Sequence, residues 1–318
     1  VAYLYRTSDD SDADTMTRLT IGTRGSALAL AQANRVAECL NEAHPELLVD
    51  IDVIKTTGDA VLDKSLPEIG GKGLFTSELE EALLEGTLDC AVHSLKDLPV
   101  ESPRGLAIAA IPEREDARDA IIAAGFPRGE DGDAVLMALP EGARVGTSSL
   151  RRAAQLLAKR PDLQILDIRG NVDTRLRKLS EGGYDAIVLA LAGLKRLDRD
   201  GEVSGVLSYR LMLPAAGQGA LAIQARDDDG EVKRILSVLD HWATRQAVLA
   251  ERAFLEAMGG GCHAPIAAFA DVVGHNMEIT GFAAGADLRG GRRDRLNANS
   301  QEPEWAGRKL ARMIQTPY

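Results

Sequence analysis

The chain has 318 residues, 45% of them hydrophobic, which is enough to bury substantial cores in two or three domains. A formal net charge of −11 and an aromatic content of 4% argue against a nucleic-acid-binding surface, which needs a basic face and stacking rings. No apolar run approaches the roughly 18 residues of a membrane span. The three cysteines, Cys39, Cys90 and Cys262, lack the paired spacing of a disulfide framework or metal site, so a reducing, cytoplasmic setting without a metal is expected.

Residues 1–17 are polar and acidic, with neither the basic nor the apolar part of a secretory signal, and those ahead of Met16 read either as a disordered extension or as a misassigned start. From there to residue 111, apolar runs alternate with amphipathic stretches: strands at 19–22, 48–56, 89–92 and 106–111, helices at 27–41 and 76–84. Pro112-Glu113-Arg114-Glu115-Asp116 reads as a hinge. A second α/β block follows, with strands at 119–123, 144–146, 164–168 and 185–190 and helices at 149–158 and 172–179. Its run 186–194 reads as a buried strand entering a turn. Leu213-Pro214-Ala215-Ala216-Gly217-Gln218-Gly219 punctuates its far end. The third region has a helix at 242–258, two strands at 266–273 and 278–283, and a helix at 305–314. Cys39 and Cys90 fall within apolar patterns and are expected in cores.

Three strand-to-helix turns share one chemistry. Ile21-Gly22-Thr23-Arg24-Gly25-Ser26, Val145-Gly146-Thr147-Ser148-Ser149-Leu150-Arg151-Arg152 and Asp167-Ile168-Arg169-Gly170-Asn171, with Arg175 and Arg177 after it, each combine a helix start with arginine. A cation there opposes the helix macrodipole unless an anion joins it. Helix N–H groups, hydroxyls and guanidinium forks together suit phosphate or carboxylate. Read singly, each turn is equally a capped helix with solvated arginines; recurrence favours a polyanionic ligand.

Asp89 to Pro99 reads as a strand entering a polar cluster of His93, Ser94, Lys96 and Asp97. A carboxylate at such a mouth can stabilise a cation or move a proton, or it can simply pair with Lys96. Gly70-Gly71-Lys72-Gly73-Leu74-Phe75 suits a loop or an anion nest. Cys262 follows Gly259-Gly260-Gly261 and precedes His263, so its thiol is expected to project from a turn, either reactive or incidental.

Together these segments resemble the hydroxymethylbilane synthases (porphobilinogen deaminases), in order and spacing, from about Arg18 through the C-terminal helix. The resemblance implies an α/β fold of two domains resembling periplasmic binding proteins plus a smaller α+β C-terminal domain. Their expected bounds are 16–113 with 217–238, 114–216, and 239–318, the segment 220–226 returning to the first. It implies a transferase of tetrapyrrole biosynthesis that condenses four porphobilinogen molecules, with loss of ammonia, on a dipyrromethane cofactor joined to Cys262 by a thioether, and then releases hydroxymethylbilane by hydrolysis. Asp97 would be the catalytic carboxylate. Ser94, Lys96, Thr147, Ser148, Ser149, Arg151, Arg152 and Arg175 would hold the carboxylates of the cofactor or growing chain. Arg24, Ser26 and Arg169 would receive the incoming pyrrole with help from Arg196, and Lys72 would lie on a flap. A monomer is expected, with no membrane or nucleic-acid partner. Two other readings compete. A dicarboxylate-binding protein of the same fold would explain the arginines but not Cys262. A nucleic-acid module using Arg151, Arg152 and 175–178 conflicts with the acidic balance.

Overall fold

The computed structural model describes residues 16–56, 76–260, 264–288 and 290–316. Lys72 and the glycine-rich segment around it lie outside these residues, as does Cys262.

Apolar side chains on both faces of short strands build the first sheet. Its strands are β1 (Arg18–Arg24), β2 (Leu48–Ile54), β3 (Cys90–Ser94), β4 (Leu106–Ala110) and, much later in the chain, β11 (Leu221–Arg226). They lie in the order β2-β1-β3-β11-β4. β1 runs parallel to β2 and β3, whereas β11 inserts antiparallel between β3 and β4. Leu19 and Ile21 pack beneath Val36 and Leu40 of helix α1 (Ala27–Ala43), whose N-cap Ser26 accepts a hydrogen bond from the Ala29 amide. Helix α2 (Ser77–Leu84) covers the other face through Leu79 and Leu83, against Leu88 and Ala91.

The second sheet collects β5 (Asp119–Ala123), β6 (Glu130–Asp131), β7 (Arg144–Gly146), β8 (Gln164–Leu166), β9 (Ala186–Ala190) and β10 (Gly205–Val206). Their order is β6-β10-β5-β9-β7-β8, with β5 antiparallel to β9 and β7 parallel to both β8 and β9. Around it lie α3 (Gly132–Ala138), α4 (Leu150–Lys159), α5 (Val172–Ser180) and α6 (Leu191–Lys195). The apolar run 186–194 is therefore part strand and part helix: the chain turns at Ala190, and α6 buries Leu191, Ala192 and Leu194. Periodicity cannot separate the two in so short a run.

After α7 (Gly230–Leu236), the third unit packs α8 (Trp242–Ala257) and α9 (Pro303–Gln315) on one face of an antiparallel sheet, β12 (Ile266–Val273), β13 (Asn276–Ala283) and β14 (Arg292–Asn299). The two helices approach so closely that a Cβ on Gly307 would clash with the Ala250 carbonyl oxygen. β14 is a strand that apolar patterning did not reveal. Only Leu296 and Ala298 pack against the core here, and the intervening Arg293, Arg295 and Asn297 face outward. Cys90 is fully buried, but Cys39 on α1 is only half-buried, so its expected core position is corrected to the margin of the helix's apolar face.

Candidate functional site

The mouth of β3 carries the first group of residues. The strand ends at Ser94 and passes into a single 3-10 turn, Leu95–Asp97. Leu95 and Leu98 are buried on either side, which leaves the Asp97 carboxylate exposed at the turn. Ser94 is held from α1: Gln32 Nε2 donates to its Oγ at 2.9 Å. His93 points to the opposite face, where its Nε2 lies 3.1 Å from Gln224 Oε1. The amide nitrogen of that glutamine donates to Glu80 at 3.3 Å, so its oxygen accepts from His93 and the ring carries its proton on Nε2. Burial, with Arg24 adding to it, lowers the imidazole to about 4, so it is neutral near pH 7. Burial also pushes Lys96 down, opposed by Asp97 and Asp119.

The second group sits at the start of α4, where Ser149 is the N-cap and accepts from the Arg152 amide at 3.4 Å. Arg151 and Arg152 are not solvated surface charges. Both are buried and close on the fully buried Asp119 at the start of β5. Arg151 Nη1 donates to one carboxylate oxygen at 2.6 Å; Arg152 donates to the other through Nη2 at 2.7 Å and Nε at 3.1 Å. Gln218 adds a fourth donor at 2.9 Å. Further donors go to the carbonyls of Leu213 and Val188. Despite the cost of burial, two guanidiniums hold the Asp119 carboxyl well below the usual carboxylate range. Burial pulls Arg151 down as well, so the two partners point in opposite directions. We take the triad as ionised, because two cations face one anion and an arginine stays charged at ordinary pH however it shifts.

The remaining candidates are spread around these two groups. The Thr147 hydroxyl accepts from the Ser149 amide, and Ser148 donates to the Ile168 carbonyl at 2.6 Å. Arg175, on α5, donates through Nε to Gly170 O at 2.8 Å, and its terminal nitrogens have no acceptor among the described residues. Burial, reinforced by Arg152, lowers it to about 10. Arg169 is half-exposed and pairs with Asp167 at 2.9 Å. Arg196 reaches back to the Gly219 carbonyl at 2.6 Å. Arg24 ends β1 on the same face as His93, and Ser26 caps α1.

All three sheets contribute to one cavity of about 160 Å³. Lys96 and Asp97 form its first wall, Ser149, Arg151 and Arg152 its second, and Leu255, Ala264 and Ile266 of the third unit close it. A larger groove, about 680 Å³, lies on the outer face of the third sheet beside Tyr209 and Phe269, and holds none of the candidate residues. The smaller cavity is the candidate site, because the carboxylate and the cations converge there. A cationic, hydroxyl-bearing lining is the donor set that a polycarboxylate such as dipyrromethane requires, so these residues fit that group. Among the described residues no cluster of histidine, cysteine and carboxylates could hold a metal ion. Sequence reasoning missed Asp119, Gln218 and Gln32. Asp119 reads as one more residue of an apolar strand, and only its four side-chain donors reveal what it does.

The chain is also similar to known proteins over most of its length. Residues 19–234 match the family model described as porphobilinogen deaminase, dipyromethane cofactor binding domain, and residues 245–316 match the porphobilinogen deaminase C-terminal domain. The porphobilinogen deaminase of Syntrophomonas wolfei is 48% identical over 299 residues, covering 94% of this chain and 95% of the relative. That of a Roseiflexus species is 52% identical over 271 residues, covering 85% and 87%. Among solved structures, the periplasmic VFT2 domain of Bordetella pertussis BvgS aligns with TM-score 0.40 at 16% identity, over 70% of this chain and 86% of that one. The aliphatic sulphonate binding protein SsuA of Escherichia coli aligns with TM-score 0.40 at 16% identity, over 77% and 71%. With both of its family models matched in order along the chain, this protein belongs to the porphobilinogen deaminase family.

Proposed function

We propose that this chain condenses four porphobilinogen molecules on a dipyrromethane primer carried by Cys262, with Asp97 as the catalytic carboxylate, and hydrolyses the product to hydroxymethylbilane. The carrying observation is the cavity that sets Asp97 against the Arg151 and Arg152 side of the second sheet, with Ala264 in its wall. Ala264, two positions after residue 262, lines that cavity, which supports Cys262 as the anchor. Cys90 is a poor anchor, since it is fully buried and burial pushes its thiol far up.

In this reading the bound dipyrromethane supplies the pyrrole carbon that is extended. Lys96, Ser149 and Arg175 hold carboxylates, together with the donors of Arg151 and Arg152 that Asp119 leaves over. Arg24, Ser26, Arg169 and Arg196 orient porphobilinogen, with Lys72 covering the cleft. Asp97 faces the aminomethyl carbon, stabilises the positive charge that develops as ammonia leaves, and then accepts the proton displaced from the extended ring. In this reading the domains run 16–113 with 217–238, 114–216, and 239–318, and the strand membership of the three sheets supports them. The protein acts as a cytoplasmic monomer. Free Cys39 and Cys90 support a reducing setting, and among the described residues no helix is long and apolar enough to cross a membrane.

Intact-mass spectrometry of the native protein tests the proposal. A two-pyrrole adduct should map to Cys262, porphobilinogen should add a ladder of single-pyrrole steps, and Cys262→Ser should lose adduct and activity while remaining folded. An unmodified, folded protein that ignores porphobilinogen would leave the dicarboxylate-binding reading in its place.

A further inference from the structure

The helix that precedes the proposed anchor cysteine also grips the turn that carries Asp97. Arg252, on α8 and only 8% exposed, spreads its guanidinium across three consecutive carbonyls. Nη1 donates to Leu98 O at 3.2 Å, and Nη2 donates to Pro99 O at 2.6 Å and Val100 O at 2.8 Å. One helical turn earlier, Val248 is fully buried in a cluster with Leu95 and Leu98, the two residues that bracket Lys96 and Asp97. One turn later, Leu255 lines the cavity beside Asp97. Residues 248, 252 and 255 form one stripe of the helix, so a single face of α8 touches both sides of the catalytic turn and the cavity.

We propose that Arg252 is a positioning residue for the condensation: it fixes the Asp97 turn to the unit that bears the cofactor, so that the carboxylate keeps its place relative to the primer. Three carbonyls of an irregular segment need donors at fixed angles. A planar guanidinium provides them from one side chain, whereas an ammonium on a flexible stem cannot hold all three in the same geometry. Within the turn the Leu98 amide donates to Leu95 O at 3.1 Å, and Arg252 holds the three carbonyls that follow it. The inference rests on Asp97 being the catalytic carboxylate, and its test separates the two claims.

The full-length holoenzyme is prepared as wild type, Arg252→Lys, Val248→Ala, Asp97→Asn, Asp97→Glu, and the doubles of the first two with Asp97→Glu. Primer occupancy is read by intact mass, and extension by single-turnover growth of the pyrrole ladder. A carboxylate misplaced by about 1 Å costs on the order of 100-fold in rate. Arg252→Lys should therefore keep full primer occupancy and the wild-type KM for porphobilinogen while the extension rate falls by about that factor. In the Asp97→Glu background, where the carboxylate is already displaced, the same change should cost less than about threefold. Val248→Ala loosens the apolar side of the grip and should show the same split and the same coupling, which also serves if Arg252→Lys does not fold. A wild-type extension rate in folded Arg252→Lys, or an undiminished effect in the Asp97→Glu background, overturns the positioning role. A wild-type rate in Asp97→Asn would instead overturn the catalytic assignment of Asp97.

Discussion

Replacing Asp119 with asparagine should be among the most damaging single changes in the second α/β unit. The carboxylate is fully buried and takes four side-chain donors, three of them from Arg151 and Arg152 and the fourth from Gln218. An amide of the same shape presents one acceptor oxygen and an NH2 group with two donor hydrogens, so a guanidinium loses its acceptor and two buried cations face each other without an anion. Breaking a buried pair by removing one partner costs about 3–5 kcal/mol. At a urea slope of about 2.5 kcal/mol/M, that lowers the unfolding midpoint by about 1–2 M. The pH dependence has a defined sign. The folded-state value of Asp119 lies below its ordinary one, so its contribution is complete above about pH 4 and is lost as pH falls further toward the depressed value. Urea melts of wild type and Asp119→Asn, each free of primer, should therefore be furthest apart near pH 7 and converge toward pH 2. A pH 7 midpoint within about 0.3 M of wild type would refute the account of the triad as an ionised, mutually dependent unit.

Asp97→Asn alters an exposed side chain, so melting and primer occupancy should match wild type while turnover falls at least about 100-fold; activity above a few per cent would count against the carboxylate's role. The His93 imidazole, lowered from 6.5 to about 4, should remain neutral through pH 5.5 when followed by NMR. Because burial disfavours its charged form, it contributes stability that is complete above about pH 6.5 and lost toward pH 4; a titration midpoint above 6 would contradict the buried placement. Gly307→Ala must force α8 and α9 apart, since the new Cβ would meet the Ala250 carbonyl and the Phe254 amide, and should lower stability by about 1–3 kcal/mol in a thermal melt.

The α/β alternation and the two long helices of the third unit were legible because each rests on a local signal, a period or a cap, whereas the convergence of Asp97 with Arg151 and Arg152 was expected only through the family resemblance. What was not legible depended on residues distant in the chain. Asp119 becomes an anion-site organiser only when residues 151, 152 and 218 fold around it. Ser94 is held by Gln32, 62 positions away, a partner no local pattern reveals. Ser149 and Asn171 serve as helix caps whatever else they do, so the bland and the functional readings of those turns hold together. The strand β14 was missed because an antiparallel sheet with one open face needs few apolar residues at its edge.

How a chain with net charge −11 holds a polycarboxylate follows from how the charges are placed. Long-range repulsion from the acidic surface is screened within about 8 Å at physiological ionic strength, whereas the cavity wall acts at contact distance. Around that wall Lys96, Arg151, Arg152 and Arg175 face Asp97 and Asp119, an excess of two positive charges. Burial pushes Lys96 and Arg175 toward their neutral forms, and the neighbouring carboxylates offset that desolvation cost only in part. A carboxylate entering the cavity relieves that cost, and its binding should pull both groups back up. Asp119 keeps two of the cations aimed while neutralising only one, and a site built this way favours ligands that bring several carboxylates over ligands that bring one.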